Sequence, residues 1–171
     1  MSTPVIIDAA ARADLPALKA LIEGSYRGDH ARHGWTHEAD IVEDERITPD
    51  ELAGLYSNPN VAILVARSGA DIVGCVTVTD RPGGMAHIGL LCVDPPFQSS
   101  GLGSRLLHTA ELLCTHLGAE SMEMTVIEDR APLIAWYLRK GWRETGERRP
   151  FPVPQDRPLH FIVLEKRPDP A

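Results

Sequence analysis

Gln98-Ser99-Ser100-Gly101-Leu102-Gly103 joins an apolar run, residues 87–93, to an amphipathic segment with helical spacing. A strand that turns through glycines into a helix leaves several backbone N–H groups pointing outward at the helix N-terminus. Those donors, with the positive end of the helix dipole, make a pyrophosphate site. Glycine at 101 and 103 lets the main chain approach phosphate oxygens with no Cβ in the way. The stretch points to a phosphate-bearing cofactor held on the amides of Gln98, Ser99, Ser100, Gly101, Leu102, Gly103 and Ser104. Two better-known loops do not fit. A P-loop requires Gly-x-x-x-x-Gly-Lys-Ser/Thr, and no lysine lies between Gly89 and Lys140. The dinucleotide fingerprint needs Gly or Ala where this chain has Leu106.

Outward from the loop, the pattern reads as alternating strands and helices. Residues 5–8 form a first strand, and Asp14 is the expected N-cap of a helix with Leu15, Leu18, Leu21 and Ile22 on one face. Periodicity fails over residues 24–47. Thr48-Pro49-Asp50-Glu51 is a capping box with proline at the first helical position. Residues 61–67 and 72–79 read as paired strands, and 87–93 as the next. On the helix after the glycine loop, Leu102, Leu106, Ala110, Leu113 and Leu117 repeat at helical spacing up to Gly118. Met122, Met124 and Val126 alternate as a strand, and residues 131–140 form a helix with Ile134, Tyr137 and Leu138 inward. Residues 143–149 and 159–166 are a final antiparallel pair. The order β-α-α-β-β-β-α-β-α-β-β predicts a mixed α/β (α+β) domain with a mostly antiparallel sheet. The crossover helix requires a parallel neighbour for strand 87–93. Residues 1–166 are expected to be one domain, with 167–171 a mobile tail.

Composition narrows the partners. The chain has 171 residues, 43% of them hydrophobic, which suits one globular domain. A net charge of −7 gives no basic field for nucleic acid or an anionic membrane. No apolar run approaches the ~20 residues of a membrane span, and the N-terminus lacks a signal-peptide pattern. Cys75, Cys92 and Cys114 sit in apolar elements without metal-ligand spacing, so reduced core thiols and a cytoplasmic location are expected. His30, His33 and His37 lack the companion ligands of a metal site.

Loop, helix, strand and a second helix carrying Ala135-Trp136-Tyr137 and ending at Gly141-Trp142 form a long ordered series. The series resembles the GCN5-related N-acetyltransferase (GNAT) superfamily, whose acetyl-CoA loop is Gln/Arg-x-x-Gly-x-Gly/Ala. That superfamily's Leu-Tyr-x-x-x-Gly-Phe element appears as Trp136-Tyr137-Leu138-Arg139-Lys140-Gly141-Trp142. The match is specific over residues 85–145. The resemblance implies acetyl-CoA as acyl donor and a V-shaped splay between the two central parallel strands. It also implies main-chain contacts from Leu91, Cys92 and Val93 to the pantetheine arm, and Tyr137 as the acid that protonates the departing thiolate.

Two positions depart from the family pattern. The strand glutamate that many relatives use as a base is replaced by His87, and a cofactor-contacting asparagine by Arg130. His87, Glu123 and bulk water all stay open as the proton acceptor, and Arg130 either reaches a phosphate or begins the helix in solvent. Cys92 reads as a core residue rather than an acyl-carrying nucleophile. The acceptor, a small-molecule or peptide amine, is expected against Trp35 and Glu38 in the irregular segment and Phe151 in the Pro-rich loop. A homodimer is compatible with this reading. The expected function is N-acetyl transfer to a primary amine by direct attack in a ternary complex. A non-catalytic acyl-CoA-binding module is the alternative, because it would keep the loop and need neither acid nor base.

Overall fold

β-Branched and apolar residues alternate over residues 61–81, and they fold as a long hairpin of β2 (Val61–Ser68) and β3 (Asp71–Arg81). The computed structural model describes residues 3–26, 47–98, 100–150 and 159–169. Around the hairpin grows a seven-stranded sheet in the order β1-β2-β3-β4-β5-β7-β6. Its other strands are β1 (Val5–Ala9), β4 (Met85–Val93), β5 (Ser121–Ile127), β6 (Arg143–Pro150) and β7 (His160–Lys166). Helices α1 (Leu15–Tyr26), α2 (Pro49–Ser57), α3 (Leu102–His116) and α4 (Ala131–Arg139) complete the described elements. The element order and the mixed, mostly antiparallel sheet agree with the sequence reading. β4 and β5 are the parallel pair, joined by the α3 crossover.

That pairing is short. Met85, Ala86 and His87 face Ser121, Met122 and Glu123, after which β4 and β5 share no register. The divergence coincides with a bulge in β4. Cys75 opposes Cys92 and Thr77 opposes Gly89, so Leu90 and Leu91 together face Val76. Leu90 takes φ 48, the one positive φ of a non-glycine residue among the described residues. The Cys75 thiol donates to the Leu90 carbonyl at 3.3 Å and lies 3.3 Å from Cys92 Sγ. All three cysteines are buried and none is in a disulfide.

Each face of the sheet carries its own core. Leu102, Leu106, Leu107 and Ala110 of α3 and Tyr137 of α4 pack with Val76, Val78, Ile88, Met122 and Met124. On the opposite face Leu18, Leu21 and Ile22 of α1 and Leu52 of α2 pack on Ile63, Val65 and Cys75. Thr48 caps α2 as its sequence predicts, with its hydroxyl accepting from Glu51 N–H at 3.1 Å.

Three local expectations need correction. Asp14 is not the N-cap of α1. It ends a 3-10 turn, Arg12–Asp14, accepts from Ala11 N–H at 2.7 Å and holds Arg67 at 2.6 Å. Leu117 is 44% exposed because it lies just past the end of α3. Leu138 is 41% exposed, since one residue beyond Tyr137 turns it about 100° away from the buried face.

Candidate functional site

The glycine loop and the end of β4 line one side of a cavity of 470 Å³, and α4 lines the other. Leu91, Cys92, Val93, Gln98, Gly101, Gly103, Ser104, Arg130 and Tyr137 all border it. Gly101 is the N-cap of α3 at φ 85, and nothing lies within 4 Å of where its Cβ would stand. Glycine therefore answers a backbone requirement there and leaves the approach open. The first i→i−4 bond of α3 runs from Arg105 N–H to Gly101 O, so the amides of Leu102, Gly103 and Ser104 have no intrahelical acceptor. An anion with several oxygens suits this cradle. On these grounds the residues fit the diphosphate of a coenzyme A thioester.

The structure narrows the predicted loop. Gln98 N–H donates to Pro95 O at 3.1 Å, closing the 3-10 turn Pro95–Phe97, and its side-chain Nε2 donates to Val93 O at 2.9 Å, so its amide is already engaged. Ser100 Oγ donates to Phe97 O at 2.5 Å, which shapes the turn. The Leu102 side chain is 3% exposed and belongs to the core. Arg105, two residues past Gly103, ties α3 to β1 by donating to Val5 O at 3.0 Å. Ser99 lies outside the described residues.

A second cavity, 330 Å³, opens on the face that carries α1 and α2. Its floor is a polar row set by strand register. Thr79 opposes His87, His87 opposes Glu123, and Thr77 with Gly89 forms the next pair along. His87 is neither a surface residue nor a charged one. Burial, then the Arg81 charge, hold its imidazole at about 4 against 6.5. Its Nδ1 is buried and lies 3.8 Å from Glu123 Oε1, too far for a hydrogen bond. Glu123 is committed elsewhere, to Arg149 at 2.7 Å and Arg81 at 3.5 Å. Burial alone would raise the Glu123 carboxyl, but the Arg149 hydrogen bond and the surrounding positive charge outweigh it, leaving it below its ordinary value.

The two cavities meet. Leu91, Arg130, Leu133 and Tyr137 border both. Tyr137 is 6% exposed, and burial raises its hydroxyl well above the ordinary tyrosine value while Arg130 pulls it back. Arg130 is 5% exposed, which removes the expectation of a solvated helix start. It caps α4, accepting from Ile134 N–H through its carbonyl at 3.0 Å. Trp35, Glu38 and Phe151, together with His30, His33 and His37, lie outside the described residues.

Several lining residues escaped the sequence reading. Trp136 and Arg139 of α4 border the first cavity, and Thr77 and Arg81 of β3 the second. The β3 pair had a signal, since Thr77, Thr79 and Arg81 alternate as polar residues on one face of an otherwise apolar strand.

Residues 19–142 match the family model described as the acetyltransferase (GNAT) family. The L-amino acid N-acetyltransferase AaaT of Escherichia coli is 31% identical over 115 residues, 64% of this chain and 65% of that protein. The chain spans less than two thirds of the length of its curated relatives. Among solved structures, the ribosomal-protein-S18-alanine N-acetyltransferase of Escherichia coli superposes with a TM-score of 0.76 at 18% identity, covering 98% of this chain and 96% of that one. The PaiA N-acetyltransferase of Thermoplasma acidophilum, solved with coenzyme A, gives 0.75 at 18% identity over 96% and 99% of the two chains.

Proposed function

The chain belongs to the GNAT acetyltransferase family, and from that premise we propose that it transfers the acetyl group of acetyl-CoA to a primary amine by direct attack in a ternary complex. The observation that carries this reading is the junction of the two cavities. Leu91, Arg130, Leu133 and Tyr137 border both, so donor and acceptor can approach one another from opposite sides of the splayed strands without a covalent enzyme intermediate.

Acetyl-CoA supplies an activated thioester carbonyl and a thiolate leaving group. This chain's residues supply the rest. Amides of Leu102, Gly103 and Ser104 at the start of α3 hold the diphosphate, and the bulged end of β4 orients the pantetheine arm through its main chain. Tyr137, kept protonated by burial, gives its phenolic proton to the departing sulfur, and the Arg130 charge beside it stabilises the tyrosinate left behind. His87 is neutral across the physiological range and can take the proton that the amine nitrogen sheds as it bonds to carbon. Glu123 is the less available acceptor, because its carboxylate is already engaged by Arg149 and Arg81. The likeness to an L-amino acid N-acetyltransferase supports an amino acid as the acceptor to test first.

Initial velocities with varied acetyl-CoA and varied amine, read by released thiol, test the proposal. Intersecting reciprocal plots are expected across an amine panel that includes L-amino acids and an N-terminal alanine peptide. Parallel plots together with an acetylated Cys92 peptide would overturn direct attack.

A further inference from the structure

Cys75 and Cys92 are nucleophilic side chains that direct acetyl transfer leaves unused. They oppose one another across β3 and β4, where antiparallel register sets Cα atoms about 4.5–5.5 Å apart, inside the span of a disulfide. Their Sγ atoms are 3.3 Å apart and neither is in a disulfide. A bond of about 2 Å asks the two sulfurs to approach by about 1.3 Å. The pair is also linked to the main chain of the site. Cys75 gives its thiol proton to Leu90 O at 3.3 Å, so the proton between the sulfurs belongs to Cys92. This relay ends on the residue that holds the positive φ of the β4 bulge. Cys92 borders the first cavity and Leu90 the second. Cys114 lacks this setting. It lies on α3 in the opposite core, fully buried, and burial pushes its thiol up to about 12.

We propose that Cys75 and Cys92 form a reversible modification site, a dithiol that hydrogen peroxide converts to a disulfide and that holds acetyl-CoA less tightly once oxidised. Peroxide, two heavy atoms long, reaches Cys92 from the cavity. The Cys92 sulfur attacks one peroxide oxygen and the O–O bond breaks, giving a sulfenic acid and one water. Cys75 Sγ then displaces the sulfenic oxygen as a second water. Two S–H bonds and one O–O bond are lost, one S–S and two O–H bonds form, and two electrons pass from sulfur to oxygen. In the product Leu90 O has lost its thiol donor, which releases the bulge from a contact that holds it. The affinity effect rests on the acetyltransferase reading, under which this bulge orients the pantetheine arm, whereas the crosslink does not.

The reduced protein is treated with hydrogen peroxide, and separately with diamide, and its peptides are mapped without reductant. The expected product is a Cys75–Cys92 crosslink, two hydrogens lighter than the dithiol, with Cys114 still titratable. Dithiothreitol reverses it, and Cys114→Ser forms it equally well. Calorimetry should find acetyl-CoA bound about fivefold more weakly by the oxidised protein, the effect of one lost hydrogen bond, with full recovery on reduction. Thiols left intact by both oxidants overturn the site, as does over-oxidation of Cys92 with no crosslink. A crosslink that leaves acetyl-CoA affinity unchanged overturns the coupling. A crosslink in a protein with no affinity for acetyl-CoA in either state keeps the site and removes the acetyltransferase reading. A protein that acetylates amines and forms no crosslink does the reverse.

Discussion

Replacing His87 with glutamine should flatten the acid side of the stability curve. In the native protein burial, followed by Arg81, holds the imidazole at about 4, whereas the unfolded chain takes up that proton near 6.5. Between those values the unfolded state binds more protons, so stability is complete above the upper value and falls as pH drops toward the lower one. Integrated from about pH 7 to about pH 5, the loss is about 2 kcal/mol. Glu123 also loses stability in acid, but its lowered carboxyl confines that loss to the range below 4.5, outside the interval measured. The assay is urea unfolding at the two pH values for wild type and His87→Gln. The remaining histidines are common to both proteins and cancel in the difference. The variant should lose about 2 kcal/mol less than wild type across the interval, with equal m-values. Equal losses in the two proteins would refute the reasoning, because the imidazole would then titrate alike folded and unfolded.

Tyr137→Phe should lower kcat by about 10²- to 10⁴-fold while calorimetry finds coenzyme A binding unchanged. Gly101→Ala and Gly118→Ala place a Cβ at φ 85 and φ 81, both in open space, so each should cost about 1 kcal/mol in thermal unfolding. Only Gly101→Ala should weaken coenzyme A, since Gly118 ends α3 at the far pole; equal binding losses would remove the loop from the diphosphate site. Arg67→Met strips Asp8 and Asp14 of their shared partner, at 2.9 and 2.6 Å, and should cost about 1–3 kcal/mol near neutral pH. Because Arg67 holds the Asp14 carboxyl at about 2 against 3.8, that difference should vanish as pH falls through this range, which denaturation in acid would check.

The glycine loop and the Trp136-Tyr137 helix were legible because their chemistry is local. A turn that must adopt φ 85 needs glycine, and a short amphipathic helix shows its face in its spacing. The splay was not legible. It arises where Leu90 takes a positive φ under a thiol from the neighbouring strand, and no apolar pattern distinguishes a strand that leaves its partner from one that stays. The same holds for the electrostatics of His87. A histidine after a glycine turn looks exposed, and only register brings Thr79, Glu123, Arg81 and Arg149 around it from three other strands. Gln98 misled for the opposite reason. Its motif position is right, but the preceding prolines draw its amide into a 3-10 turn.

The three residue pairs between β4 and β5 have a mechanical meaning. Strands β1 to β4 form one half-sheet and β5 to β7 another, and among the described residues this short seam is the main-chain ladder that joins them. A sheet sutured so briefly bends most easily about that line. Rotation of the halves changes the width of the cleft at Tyr137 without disturbing the hydrogen bonds inside either half, so a bound thioester could act as a wedge that sets the angle between them.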